Sequence, residues 1–114
     1  WITPGWITIG MNNDRIENLK NMLLADPNDT FARYALGLEY LSENEHDSAR
    51  EMFEEIKTLD PNYVALYYQL GKTYELVGDE NEARKVYEKG IYVAASQSDN
   101  HTKGELEQAL NELL

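Results

Sequence analysis

The residues able to do acid-base, nucleophilic or metal chemistry are few and scattered. His46 and His101 are the only imidazoles, and both sit among turn-forming polar residues with no partner at general-base or ligand spacing. Cysteine is absent, which removes disulfides, thiolate metal sites and thiol nucleophiles. Glu54 and Glu55 are adjacent, and neighbours on a helix point apart, so they form neither a paired-carboxylate site nor a tight metal cage. No Gly-rich phosphate loop, serine nucleophile motif or His-Glu-His zinc spacing occurs. The pattern therefore predicts no enzyme and no cofactor. What the chain carries in quantity is recognition chemistry: eight tyrosines, each joining apolar area to a polar tip.

Charge narrows the partners. Ten Lys and Arg against twenty-one Asp and Glu give a net charge of -11, which repels phosphate backbones and anionic membranes. No apolar run approaches the roughly 18 to 20 residues of a membrane span. A length of 114 residues fits one folding unit. With no export signal after Met11, the cytoplasm is the default compartment. Glu43, Glu45, Asp47, Glu51, Glu54 and Glu55 crowd one helix and read chiefly as a solvated face, with a site for a basic partner as the alternative.

The elements that position these side chains repeat. Asp26-Pro27-Asn28 recurs as Asp60-Pro61-Asn62, and the same offset of 34 maps Tyr34 onto Tyr68, Leu36-Gly37 onto Leu70-Gly71, Tyr40 onto Tyr74, Ala49-Arg50 onto Ala83-Arg84, and Glu54 onto Glu88. In each unit the first half is densely apolar (Phe31, Tyr34, Leu36, Leu38, Tyr40, Leu41), as an inner helix covered on several sides must be. The second half carries a narrower stripe (Ala49, Met52, Phe53, Ile56, Leu59) set against charged residues, as an outer helix does. Asn44 and Gly78 stand at equivalent spots and predict the left-handed turn inside each hairpin.

These residues resemble the tetratricopeptide repeat family, whose unit of about 34 residues is a helical hairpin. Leu36, Gly37 and Tyr40 match the first-helix motif; Ala49, Phe53 and Pro61 match the second; Leu70, Gly71, Tyr74, Ala83 and Tyr87 repeat it. Arg33 and Tyr67 replace the family's first-helix Trp, Ile56 departs from a small-residue position that Gly90 keeps, and Ala95 stands in place of the second unit's Pro. The resemblance covers residues 26–95. It implies an all-α fold, a right-handed superhelical stack of antiparallel helix hairpins, with repeats at 29–61 and 63–95. It also implies protein or peptide binding in a concave groove lined by the first helix of each repeat. By register that groove is Phe31, Tyr34, Leu38 and Leu41, then Ala65, Tyr68, Gln69, Lys72 and Glu75, which favours an apolar or aromatic segment. The family's Lys, Asn and Arg clamp for acidic chaperone tails is not matched: its positions fall on Tyr34, Leu38 and Gln69, and only Lys103 is basic nearby.

The flanks read as covers for the stack, since each repeat buries itself only against its neighbours. Ile16, Leu19, Met22 and Leu23 form one stripe in an outer helix over residues 13–25. Thr102 and Glu105 fit a capping box opening a C-terminal capping helix over 102–114, with Leu106, Ala109, Leu110 and Leu113 as its apolar side. Ser96 to His101 read as a polar loop. Residues 1–10 are uncharged, hold both tryptophans and repeat Trp-Ile-Thr. They read as an artificial leader before Met11, with residues 1–9 extended against the groove of their own or a neighbouring copy.

The sequence thus predicts a non-catalytic scaffold that binds a partner segment in its groove. The rival reading is structural, a self-association module whose groove or ends pair with another copy.

Overall fold

The computed structural model describes the backbone of residues 4–114 and the side chains of residues 14–114. Six helices follow one another: α1 (Pro4–Ala25), α2 (Thr30–Ser42), α3 (His46–Leu59), α4 (Ala65–Leu76), α5 (Glu80–Ser96) and α6 (Asn100–Glu112). Among the described residues there is no strand.

Local chemistry sets the boundaries. Pro27 cannot continue α1, and the Asp26 carboxylate accepts a hydrogen bond from the Asn28 N–H at 3.1 Å, closing the turn. Asp29 then caps α2 by accepting from the Ala32 N–H at 2.9 Å. Inside the hairpins the chain reverses through a left-handed residue, Asn44 at φ 60° and Gly78 at φ 84°. The next N–H in each case, of Glu45 or Asp79, reaches back to the carbonyl of Tyr40 or Tyr74 at 2.8 and 2.9 Å, satisfying a helix-end acceptor.

Where Pro is missing, the pattern changes. With Ala95 in its place α5 runs for 17 residues against 14 in α3. It stops only at Ser98, which takes φ 57°, and Asp99 N–H bonds back to the Ala94 carbonyl at 2.9 Å. The segment Ser96–His101 is therefore not a long loop. Three residues, Gln97 to Asp99, join α5 to α6, and His101 is already helical. Nor does Thr102 open a capping box: Asp99 is the cap, accepting from the Thr102 N–H at 3.1 Å.

At the other end, the extended leader is replaced from Pro4 onward by helix, so α1 is a single element of 22 residues rather than an outer helix over 13–25. Trp1, Ile2 and Thr3, and the side chains of Trp6 and its neighbours, lie outside the described residues.

Packing follows the repeat. Each hairpin closes on itself, α2 on α3 and α4 on α5, while α1 packs on α2, α3 on α4, and α6 on both α5 and α4. The closest approaches fall at glycine. A Cβ on Gly37 would lie 2.6 Å from the Phe53 ring, and one on Gly71 only 2.1 Å from the Tyr87 ring. Glycine is required at both positions because a fully buried aromatic occupies the space a side chain would need. Phe53, Ile56, Leu66, Tyr67, Leu70, Val86, Tyr87 and Leu106 form the centre of one continuous core.

The family's Trp position is filled differently in the two repeats. Tyr67 is fully buried and its hydroxyl donates to the Pro61 carbonyl at 2.6 Å, tying α4 to the turn before it. Arg33, also buried, donates through Nε to Glu55 of α3 at 2.9 Å. Burying that guanidinium is tolerable because the carboxylate meets it.

Candidate peptide-binding surface

The even-numbered helices share one side of the stack, with α4 and α6 touching there directly. Their outward positions are those the repeat register assigns to the groove, and the structure divides them. Phe31 is 68% exposed and Leu38 37%, both on α2 and both unusually open for residues of that size. Tyr34 and Leu41 are half-buried and pack against the core. The Tyr34 ring lies 5.8 Å from that of Phe53 and 5.4 Å from that of Tyr63, at tilted angles. Burial raises the Tyr34 phenol above its ordinary pKa, while a hydrogen bond with Gln69 pulls the other way. Gln69 thus links α2 to α4 and is committed to Tyr34 as well as being part-exposed.

On α4 the surface becomes polar. Lys72 places its ammonium 5.5 Å from the Tyr68 ring centroid and 3.6 Å from Glu75 Oε2. Glu75 in turn accepts from the hydroxyl of the buried Tyr87. Burial first, and then that carboxylate, hold the Tyr87 phenol far above its ordinary value; Tyr68 and Glu112 add to the effect.

Beyond α4, sequence reasoning missed part of the lining. A cup of about 220 Å³ lies between α4 and α6, walled by Tyr68, Glu105, Gln108, Ala109 and Glu112. Gln108 and Glu112 lie opposite the apolar side of the capping helix in the sequence and are not among the groove positions the register assigns. A signal was available: Leu106 and Leu110 repeat Leu70 and Tyr74 once two extra residues are allowed, which makes α6 the inner helix of a half repeat. They follow the longer α5, which runs three residues beyond the length of α3.

The acidic run on α3 is only partly a solvated face. Glu54 accepts from the Tyr74 hydroxyl and pairs with Lys57 at 2.8 Å, whereas Glu55 turns the other way to Arg33. The two adjacent carboxylates do point apart, one to each neighbouring helix. Larger hollows of about 410 and 390 Å³ open between α1 and its neighbours, both bordered by Lys20 and by the half-buried Tyr40. Among the described residues no three His, Asp or Glu side chains gather at metal-binding distance. No described helix is long and apolar enough to cross a membrane.

The profile of the tetratricopeptide repeat matches residues 32–63 and 64–97, back to back across the two hairpins just described. The chain belongs to the tetratricopeptide repeat family. Among solved structures it is similar to a tetratricopeptide repeat domain protein of Salinibacter ruber, at 39% identity over 77% of this chain and 89% of that one, with a TM-score of 0.73. A protein of Bordetella parapertussis matches at 31% identity over 86% of this chain and 85% of its own, with a TM-score of 0.75. PcrH, solved in complex with the chaperone binding region of PopD, shares the fold at a TM-score of 0.84 but only 16% identity, over 94% and 81% of the two chains. Curated proteins gave no match. The tetratricopeptide fold is in general a protein-interaction scaffold without catalysis.

Proposed function

We propose that this tetratricopeptide chain binds a segment of a partner protein on the surface made by α2, α4 and α6, and performs no catalysis. Phe31 and Leu38 act as apolar anchors, while Tyr34, Leu41, Tyr68, Gln69 and Lys72 supply the shape and polar contacts between them. The observation that carries this reading is the exposure of Phe31, at 68%, and of Leu38, at 37%, at groove positions of a rigid repeat. A folded surface gains about 25 cal/mol for each Å² of such apolar area that a partner covers. PcrH, of like fold, was solved with a region of PopD, which supports a peptide as occupant.

The test is a displayed peptide library selected on the wild-type protein, followed by NMR mapping of the selected peptide. Shift changes gathered at Phe31, Leu38 and Tyr68, and affinity lost in Phe31→Ser/Leu38→Ser, are the expected results. Changes gathered on α3 and α5 instead would refute the assignment.

A further inference from the structure

We infer that the segment this surface takes is a mixed one, with aliphatic or aromatic anchors at the α2 end and lysine or arginine at the α4–α6 end. This rests on the groove reading above and adds the partner's chemistry. The surface is not uniform along its length. At the α2 end the exposed groups are Phe31 and Leu38, with no ionised side chain among the groove positions. At the α4–α6 end stand Glu75, Glu105 and Glu112; Lys72 lies 3.6 Å from Glu75, and the exposed His101 imidazole lies 3.8 Å from Glu105.

The protein's own Lys72 shows what this end accepts. Its ammonium rests against the Tyr68 face and beside Glu75, the two kinds of contact a bound lysine or arginine would seek. The cup of about 220 Å³ continues past Tyr68 onto Glu105, Gln108 and Glu112, so the same arrangement is offered again, open, one helix further along. Three carboxylates against the Lys72 ammonium and the His101 imidazole leave this end acidic, and the net charge of -11 strengthens the attraction at long range. The same field opposes an acidic tail.

The experiment uses three short dye-labelled peptides that share one apolar half containing Phe and Leu. The other half is rich in lysine, glutamine or glutamate. Fluorescence anisotropy at low and high salt should rank lysine above glutamine above glutamate, with the lysine peptide roughly tenfold tighter than the glutamine one. Raising salt should erase most of that advantage. Glu105→Gln/Glu112→Gln should bring the lysine peptide to the level of the glutamine peptide and weaken the latter far less. Glu80→Gln/Glu107→Gln removes equal charge away from the cup and should change little, separating the cup from the overall field. Equal binding of all three peptides would overturn the basic preference while the groove reading stood. Binding of none would overturn both, and a lysine advantage untouched by Glu105→Gln/Glu112→Gln would place the basic site elsewhere.

Discussion

One substitution, made at two glycines, should have opposite signs in this molecule. Gly71 and Gly104 are both helical, so alanine gains about 0.8 to 1 kcal/mol of helix propensity at either position. Their surroundings differ completely. A Cβ at Gly71 would stand 2.1 Å from Tyr87 Cε1 and 2.6 Å from its Cδ1 and Cζ. Carbon atoms prefer about 3.5 to 4.0 Å, so the ring must withdraw by more than an ångström. It cannot do so freely, because Tyr87 is fully buried and its hydroxyl is held by Glu75. Overpacking costs about 1 to 3 kcal/mol, and a pinned ring puts Gly71 at the top of that range, leaving a net loss of roughly 2 kcal/mol. At Gly104 nothing lies within 4 Å of the added Cβ, and the propensity gain stands alone. By far-UV circular dichroism, Gly71→Ala should lower the melting midpoint by roughly 10 °C and Gly104→Ala should raise it by roughly 4 °C. A Gly71→Ala midpoint at or above wild type would refute the account of α4–α5 packing. A lowered midpoint for Gly104→Ala would show that α6 has an unrecognised neighbour.

Three further outcomes follow from the same structure. Leu106 is fully buried between α6 and the core, so Leu106→Ala should cost about 3 kcal/mol in urea unfolding, and a change below about 1 kcal/mol would mean that α6 is not integral to the fold. Tyr74 and Tyr87 are held protonated by burial and by the carboxylates they meet, so the stability they give is present below pH 10 and is lost as pH rises beyond it. Each contributes a fall of about 1.4 kcal/mol per pH unit there, and Tyr74→Phe/Tyr87→Phe should flatten that limb; equal slopes in variant and wild type would contradict the assignment. Asp99 has its carboxyl pulled below the usual value by hydrogen bonds from the Thr102 side chain and backbone, so the stability it adds is present above the usual carboxylate range and disappears as pH falls through the lowered value. Asp99→Ala should lower the midpoint at neutral pH and reduce its acid-side decline; an unchanged midpoint would show that the cap contributes nothing.

The sequence was most legible where one residue type has one physical job. Asp-Pro-Asn ends a helix, and Asn44 and Gly78 accept a left-handed backbone; both are local, and both hold. Longer-range burial was harder to read. Tyr34, Leu41 and Tyr68 look like groove residues by register, yet all three also pack against the core, the Tyr34 ring lying against Phe53 of α3 and Tyr63 of the turn that leads into α4. Periodicity gives a residue's direction around its own helix but not how near the next helix comes. Arg33 shows the same limit: a charged residue at an interior position is readable only once Glu55 is seen to reach it.

The acidic end of the surface depends on a substitution that looks like a loss. Ala95 stands where the first repeat keeps Pro61, and without the proline α5 continues through Ser96 before turning at Ser98. After the longer α5, α6 comes two residues late against the 34-residue register, which breaks the periodic signal and is why α6 reads as a mere cap. That shift also decides which side chains face α4. In the shifted register Gln108 stands where Lys72 does, and Glu112 where Leu76 does. A polar termination that satisfies the end of a repeat stack need not face inward, but here the same helix that buries Leu106 and Ala109 also brings Glu105 and Glu112 to the cup beside Tyr68. Covering the core and charging the surface are done by adjoining faces of one helix, Ala109 lying on the border between them, so the position of its start determines both.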